Sequence, residues 1–149
     1  MFETFHFIGL ALLVGIVGMF DLRVLGMAKG LPLAPFGPLL RVAAFGFVLC
    51  VITGLGFVLG LGANLIGYPP DVAPAYVVLM TDLWLQLKLL FIFLAGLNVL
   101  AYYLLGVARE VEALGPGDDA PLRAKVVAAV SLFLWVGVVW FGRLIPHDL

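Results

Sequence analysis

The sequence is poor in the side chains that carry most protein chemistry. Over 149 residues it has one cysteine, two histidines and charged side chains at only 11% of positions. A lone Cys50 excludes a disulfide framework, a cysteine-rich metal site and a thiol redox pair within the chain. A net charge of −1 leaves no basic surface for nucleic acid, so no such partner is expected. There is no nucleophile elbow, no phosphate-binding loop and no HExxH helix, and no apolar stretch carries paired acid and base carboxylates. The acidic residues Glu110, Glu112, Asp118 and Asp119 cluster in one short polar stretch and read as a solvated turn. The expectation is of a protein that is not an enzyme.

What the chain does have is apolar surface. Hydrophobic residues make up 64% of it, and its mean hydropathy is +1.22. Soluble domains carry about twice this charged fraction, and 149 residues leave room for one domain, residues 1–149. The excess has to face lipid. A bilayer core of about 30 Å needs about 20 apolar helical residues; the candidates are Phe2–Phe20, with Glu3 and His6 at the interface, Val42–Leu61, Leu83–Val107, and the slightly short Val126–Gly142, with Arg143 snorkelling at its end. Each must be helical, because lipid offers no partner to backbone N–H and C=O groups. Pro32, Pro35 and Pro38 with Gly30 and Gly37 break the chain after the first span. Pro69, Pro70 and Pro74 mark the second connection, where Ala75–Met80 reads as an interfacial turn. Gly115-Pro116-Gly117 ends the third helix, and Asp119 and Pro121 suit the start of the fourth. The predicted fold is an all-α four-transmembrane-helix bundle, with helices near 2–22, 40–62, 82–107 and 122–143.

The first stretch does not read as a signal peptide. It has Glu3 and no cation ahead of its apolar run, no small-x-small cleavage site follows, and it ends at Asp21-Leu22-Arg23. Sidedness follows from the cations. Arg23, Lys29 and Arg41 fall in the first connection, and Arg109, Arg123 and Lys125 in the third. The second connection has none, and the C-terminal tail has Arg143 alone. The positive-inside rule then puts the first and third connections in the cytoplasm and both termini outside. The expected location is a bacterial inner membrane, with the termini on its periplasmic or extracellular face. Trp84 and Trp140 fall near the outer helix ends, as an aromatic belt requires.

Ionisable groups inside spans are costly and are the first candidates for function. Lys88 lies about four residues into the third span, roughly 6 Å deep. Its stem either snorkels to the outer headgroups or holds the ammonium among the helices, with Asp82, Glu3 or a bound anion as partner. His6 enters the first span from the same side; it is an ordinary interfacial histidine, or a ligand to a metal or haem iron. His147, the only other histidine, follows the fourth span, so a site shared by the two termini is open. Asn98 and Tyr102 share a helix face and suit hydrogen bonding between helices, as do Thr53 and Ser131. Gly15 and Gly18, and Gly56-x-x-x-Gly60, carry the small-residue spacing that lets helices approach or dimerise.

Taken as a set, several elements resemble a known family. They are His6-x-x-Gly9, Gly15, Asp21-Leu22-Arg23 with Gly26, Thr53-Gly54, Lys88, Ala95-Gly96-Leu97-Asn98, Trp135 and Gly142-Arg143. Together they resemble an uncharacterised family of small bacterial inner-membrane proteins. That family is distantly similar to the copper-resistance D membrane proteins and, more loosely, to b-type cytochrome bundles. The resemblance implies metal movement or a redox cofactor, haem b or copper, near the outer leaflet. Tyr102-Tyr103 stand where many relatives carry a further histidine, which leaves His6 as the one histidine within a span.

Three readings follow. The first is a non-catalytic subunit or anchor, partnered by the bilayer and by other membrane subunits or a second copy. The second is a haem- or copper-handling protein with His6, Lys88, Arg143 and His147 around an outer site. The third is a small oligomeric transporter with Lys88 and Asn98 lining its path.

Overall fold

The computed structural model describes residues 2–58 and 75–145. Six helices follow in order: α1 (Phe2–Leu25), α2 (Phe36–Val58), α3 (Ala75–Thr81), α4 (Leu83–Leu104), α5 (Val107–Glu112) and α6 (Leu122–Leu144). Four of these, α1, α2, α4 and α6, are long and apolar enough to cross a membrane. Their outward faces carry large apolar side chains, among them Phe45, Phe93, Phe133 and Trp140, each more than 60% exposed. Water does not tolerate so much contiguous apolar surface, whereas lipid requires it. The chain is an all-α, multi-pass membrane protein.

Several boundaries differ from those expected, for local reasons. α1 does not stop at Asp21-Leu22-Arg23 but runs on to Leu25. Gly26 closes it at φ +95°, returning its N–H to the Arg23 carbonyl while Met27 bonds back to Leu22. α2 begins at Phe36, so Pro38 lies within its first turn. There a missing N–H costs nothing, because the first N–H groups of a helix have no partner inside it. α4 ends at Leu104 rather than continuing to Val107. Gly106, at φ +73°, turns the chain into α5. That turn buries Val107, Ala108 and Val111 while Arg109 and Glu112 stay exposed. Asp82 caps α4, its Oδ1 accepting from the Leu85 N–H at 2.9 Å.

Neighbouring long helices run antiparallel. α1 and α2 cross at Gly9 and Gly46, where a Cβ on either glycine would stand 2.7 Å from the other's carbonyl oxygen. Backbone lies directly on backbone there, as small residues permit in membranes. α4 and α6 meet where the Phe91 ring occupies the space left by Gly137, and Asn98 Nδ2 donates to the Val127 carbonyl at 3.0 Å. α1 also packs along α6, whereas α2 and α4 scarcely touch. The bundle is therefore a row, α2–α1–α6–α4, curled so that its outer members face each other across a gap.

Two apolar clusters hold it. One, mid-bundle, gathers Leu13, Ala43, Ala95, Leu134, Trp135 and Val138. The other sits at the end bearing the α1–α2 and α4–α6 connections and includes Val24, Phe36, Val107, Val111 and Ala124. Arg23, counted above as a loop cation, is buried completely at that end. Its Nε donates to the Leu31 carbonyl at 2.6 Å, and its terminal nitrogens donate to Gly115 at 3.3 Å and Asp118 at 3.5 Å. One guanidinium thus ties two connections to α1 through their backbone.

Candidate functional site

The residues singled out by sequence fall into two groups, one at each end of the bundle. At the end bearing the termini, His6 of α1 faces Thr53 of α2, with Nδ1 to Oγ1 at 2.8 Å. The Thr53 hydroxyl donates to the Leu49 carbonyl at 2.7 Å, so its oxygen accepts and the His6 proton sits on Nδ1. The imidazole leans on Phe57, ring centroids 5.5 Å apart. Cys50 Sγ lies 3.4 Å from the His6 carbonyl. Lys88 is half-buried, its stem running over Gly142 of α6. From there its ammonium bears electrostatically on both His6 and Cys50. Asp82 and Glu3 do not pair with it: one caps its own helix and the other is exposed. Among the described residues no carboxylate forms an ion pair with Lys88.

This group brings His6 and Lys88 together but leaves Arg143 exposed at the end of α6. His147 and Gly60 lie outside the described residues. Of the other candidate packing glycines, Gly56 is buried on α2. A Cβ on Gly18 would make ordinary contact with Leu132, and one on Gly15 would meet open space. The close approaches belong instead to Gly9, Gly46, Gly137 and Gly142, whose spacing gives no small-xxx-small signature.

The haem or copper that the resemblance implies was tested against these donors. Of this group only His6 Nε2 and the Cys50 sulfur could serve as soft or nitrogen donors, too few to complete a haem or copper site. Among the described residues no three His, Cys, Asp or Glu side chains converge. The donors among the described residues do not fit either group.

The members of the second group were named from sequence, but their meeting at one cavity was not legible in advance. Between the four long helices lies a cavity of about 390 Å³, within the size range of small-molecule sites. Leu13, Ala43, Ala95 and Trp135 form its apolar depth. Its rim is made by exposed residues of α2 and α4, among them Phe47, Gly96, Val99 and Tyr103, so it opens sideways where those helices stand apart. The polar side chains in its lining are Asp21, Asn98, Tyr102, Tyr103 and Ser131, with the indole of Trp135. Asp21 is 4% exposed and lies four residues from the end of α1, with the Ser131 hydroxyl beside its carboxylate. Its Oδ2 is buried without a hydrogen-bond partner. The aromatic rings of Phe20 and Tyr102 meet edge to face nearby, centroids 6.1 Å apart.

No family model matches the chain, and neither does any curated protein or any solved structure.

Proposed function

We propose that this protein is a non-catalytic binding subunit of a bacterial inner membrane that takes an apolar small molecule from the lipid into its four-helix cavity. The observation that carries the reading is the cavity itself, lined from all four helices and opening between α2 and α4 toward the hydrocarbon. A concave apolar site with a few convergent polar groups is the usual form of a ligand pocket. Such a ligand need not pass through water, and neither catalysis nor a metal is needed to hold it. The positive-inside pattern supports outward termini even without Arg23. Lys29 and Arg109 lie between the long helices, and Arg41, Arg123 and Lys125 lie in the first turns of α2 and α6 at that same end, against Arg143 at the far end of α6.

The test is saturable binding of a neutral apolar probe, phenylbutanol, to the protein in nanodiscs of zwitterionic lipid. Trp135, which lines the cavity, reports it in a background where Trp84 and Trp140 are phenylalanine. Gly96→Phe should abolish the saturable change, because Gly96 lines the cavity and a Cβ there meets no other atom, leaving room for a ring at that position. Binding that never saturates, or that persists in this variant, refutes the reading. The same gently purified sample tests the copper and haem reading. A Soret band or stoichiometric copper would show that a second chain, or the segment after residue 145, completes a site around His6.

A further inference from the structure

We infer that the cavity is a site for a monocationic amphiphile, an ammonium group on an apolar body, with Asp21 as the group that recognises the charge. The inference rests on the cavity reading above and adds the ligand's chemical class. A carboxylate buried at membrane depth is costly unless something satisfies it, and Oδ2 of Asp21 has no protein partner. The nearest cation on its own helix is Arg23, whose guanidinium is turned to the carbonyls of Leu31, Gly115 and Asp118 and makes no ion pair with Asp21. No basic side chain lines the cavity. What surrounds the carboxylate instead is oxygen and aromatic surface. The Ser131 hydroxyl stands beside it, the Tyr102 phenol also reaches the cavity, and the rings of Phe20, Phe47, Tyr103 and Trp135 line the walls.

These groups all favour the same ligand. Hydroxyl oxygens and a carboxylate accept hydrogen bonds from an ammonium, and aromatic faces attract a cation through their quadrupoles. An acyl chain alone would fill the apolar depth and leave Oδ2 as unpartnered as before. An anion would meet the carboxylate with no compensating cation. An ammonium carried on an apolar body satisfies both halves of the cavity, and it reaches Asp21 sideways between α2 and α4 with its body still in hydrocarbon.

The experiment compares phenylbutylamine, charged at neutral pH, with its neutral counterpart phenylbutanol in the same zwitterionic nanodiscs. The wild type should bind the amine at least about tenfold more tightly, the difference expected when a charged hydrogen bond replaces a neutral one. Asp21→Asn should bring the two probes to within about twofold of each other while alcohol binding is retained, which also shows that the variant folds. Equal affinities in the wild type overturn the inference whatever the variant does, as does a preference that survives in Asp21→Asn. If the alcohol saturates and the amine gains nothing, the cavity reading stands and only the choice of ligand fails. If neither probe saturates, both fail.

Discussion

The two ends of this bundle are held together by different means. At the end bearing the connections, charge does the joining. Arg23 is buried against three backbone carbonyls, Arg123 pairs with Glu110, and Asp119 bridges Lys29 at 3.0 Å and Lys125 at 2.9 Å. At the end bearing the termini, the described contacts are close-packed and mostly uncharged. Gly9 lies on Gly46, His6 is bonded to Thr53, and Trp84 stacks on Phe141, centroids 6.1 Å apart. The difference follows from what each end must fasten. Connections carry polar backbone that needs donors, and one guanidinium supplies several in a fixed fork. Helices in lipid have no hydrophobic drive toward each other, so close backbone approach and neutral hydrogen bonds must hold them.

The comparison can be broken from either side. The largest effect is expected for Arg23→Met, which keeps apolar bulk but strips three carbonyls of their donor. It should cost about 3 kcal/mol or more, given that each hydrogen bond to a charged group is worth about 1.5–3 kcal/mol. Denaturant titration of the unfolding midpoint in mixed micelles measures this, and a midpoint shift below a third of that size would show that the connections hold without it. Gly46→Ala should rank second. Its Cβ would meet the Gly9 carbonyl at 2.7 Å, and forcing the backbones apart costs about 1–3 kcal/mol. Gly15→Ala, with open space at its Cβ, is the matched control and should leave the midpoint unchanged.

The smallest effect concerns Asp119. Hydrogen bonds from Lys125 and then Lys29 hold its carboxyl below the ordinary carboxylate range. A carboxyl depressed in the folded state stabilises above its unfolded pKa, about 3.9, and that contribution is lost as pH falls through the lower folded value. The group is fully exposed, so the contribution is small and salt-sensitive. Unfolding midpoints of the wild type and Asp119→Asn should differ slightly near pH 6 and converge below about pH 3; a difference that persists in strong acid would mean that the carboxylate is not its source.

How much of this was legible from sequence depends on the range of the interaction that decides each feature. The four spans were readable because hydrocarbon thickness acts on each segment separately, as it does on Leu83–Leu104 with no reference to its neighbours. The fate of Asp21 and Arg23 was not. A charge at the end of an apolar run reads alike whether it sits in a loop or inside the last helical turn. Only the arrival of residues 115–118 makes Arg23 a buried group. Which glycines meet a neighbour within the chain was hidden for a related reason. Gly15 and Gly18 have the expected spacing, but which glycine meets a neighbour depends on the rotation of two helices, and that rotation selected Gly9 and Gly46. Lys88 and Asn98 stand out in sequence because a polar group within a span needs a local explanation, and both lie in α4. The cavity is invisible in sequence, because it is the space left where α2 and α4 do not meet.

The Arg23 contacts also impose an order on assembly. Its acceptors at Gly115 and Asp118 lie 92 and 95 residues further along the chain. While the first helical hairpin is being inserted, those carbonyls have not been made. The guanidinium must then remain hydrated at the membrane surface, as a freely exposed cation. When the second hairpin docks it exchanges water for the backbone of residues 115 and 118 and becomes the most deeply enclosed charge among the described residues. The same side chain is a surface charge during synthesis and a latch at completion, because two of its three carbonyl partners arrive with the second hairpin.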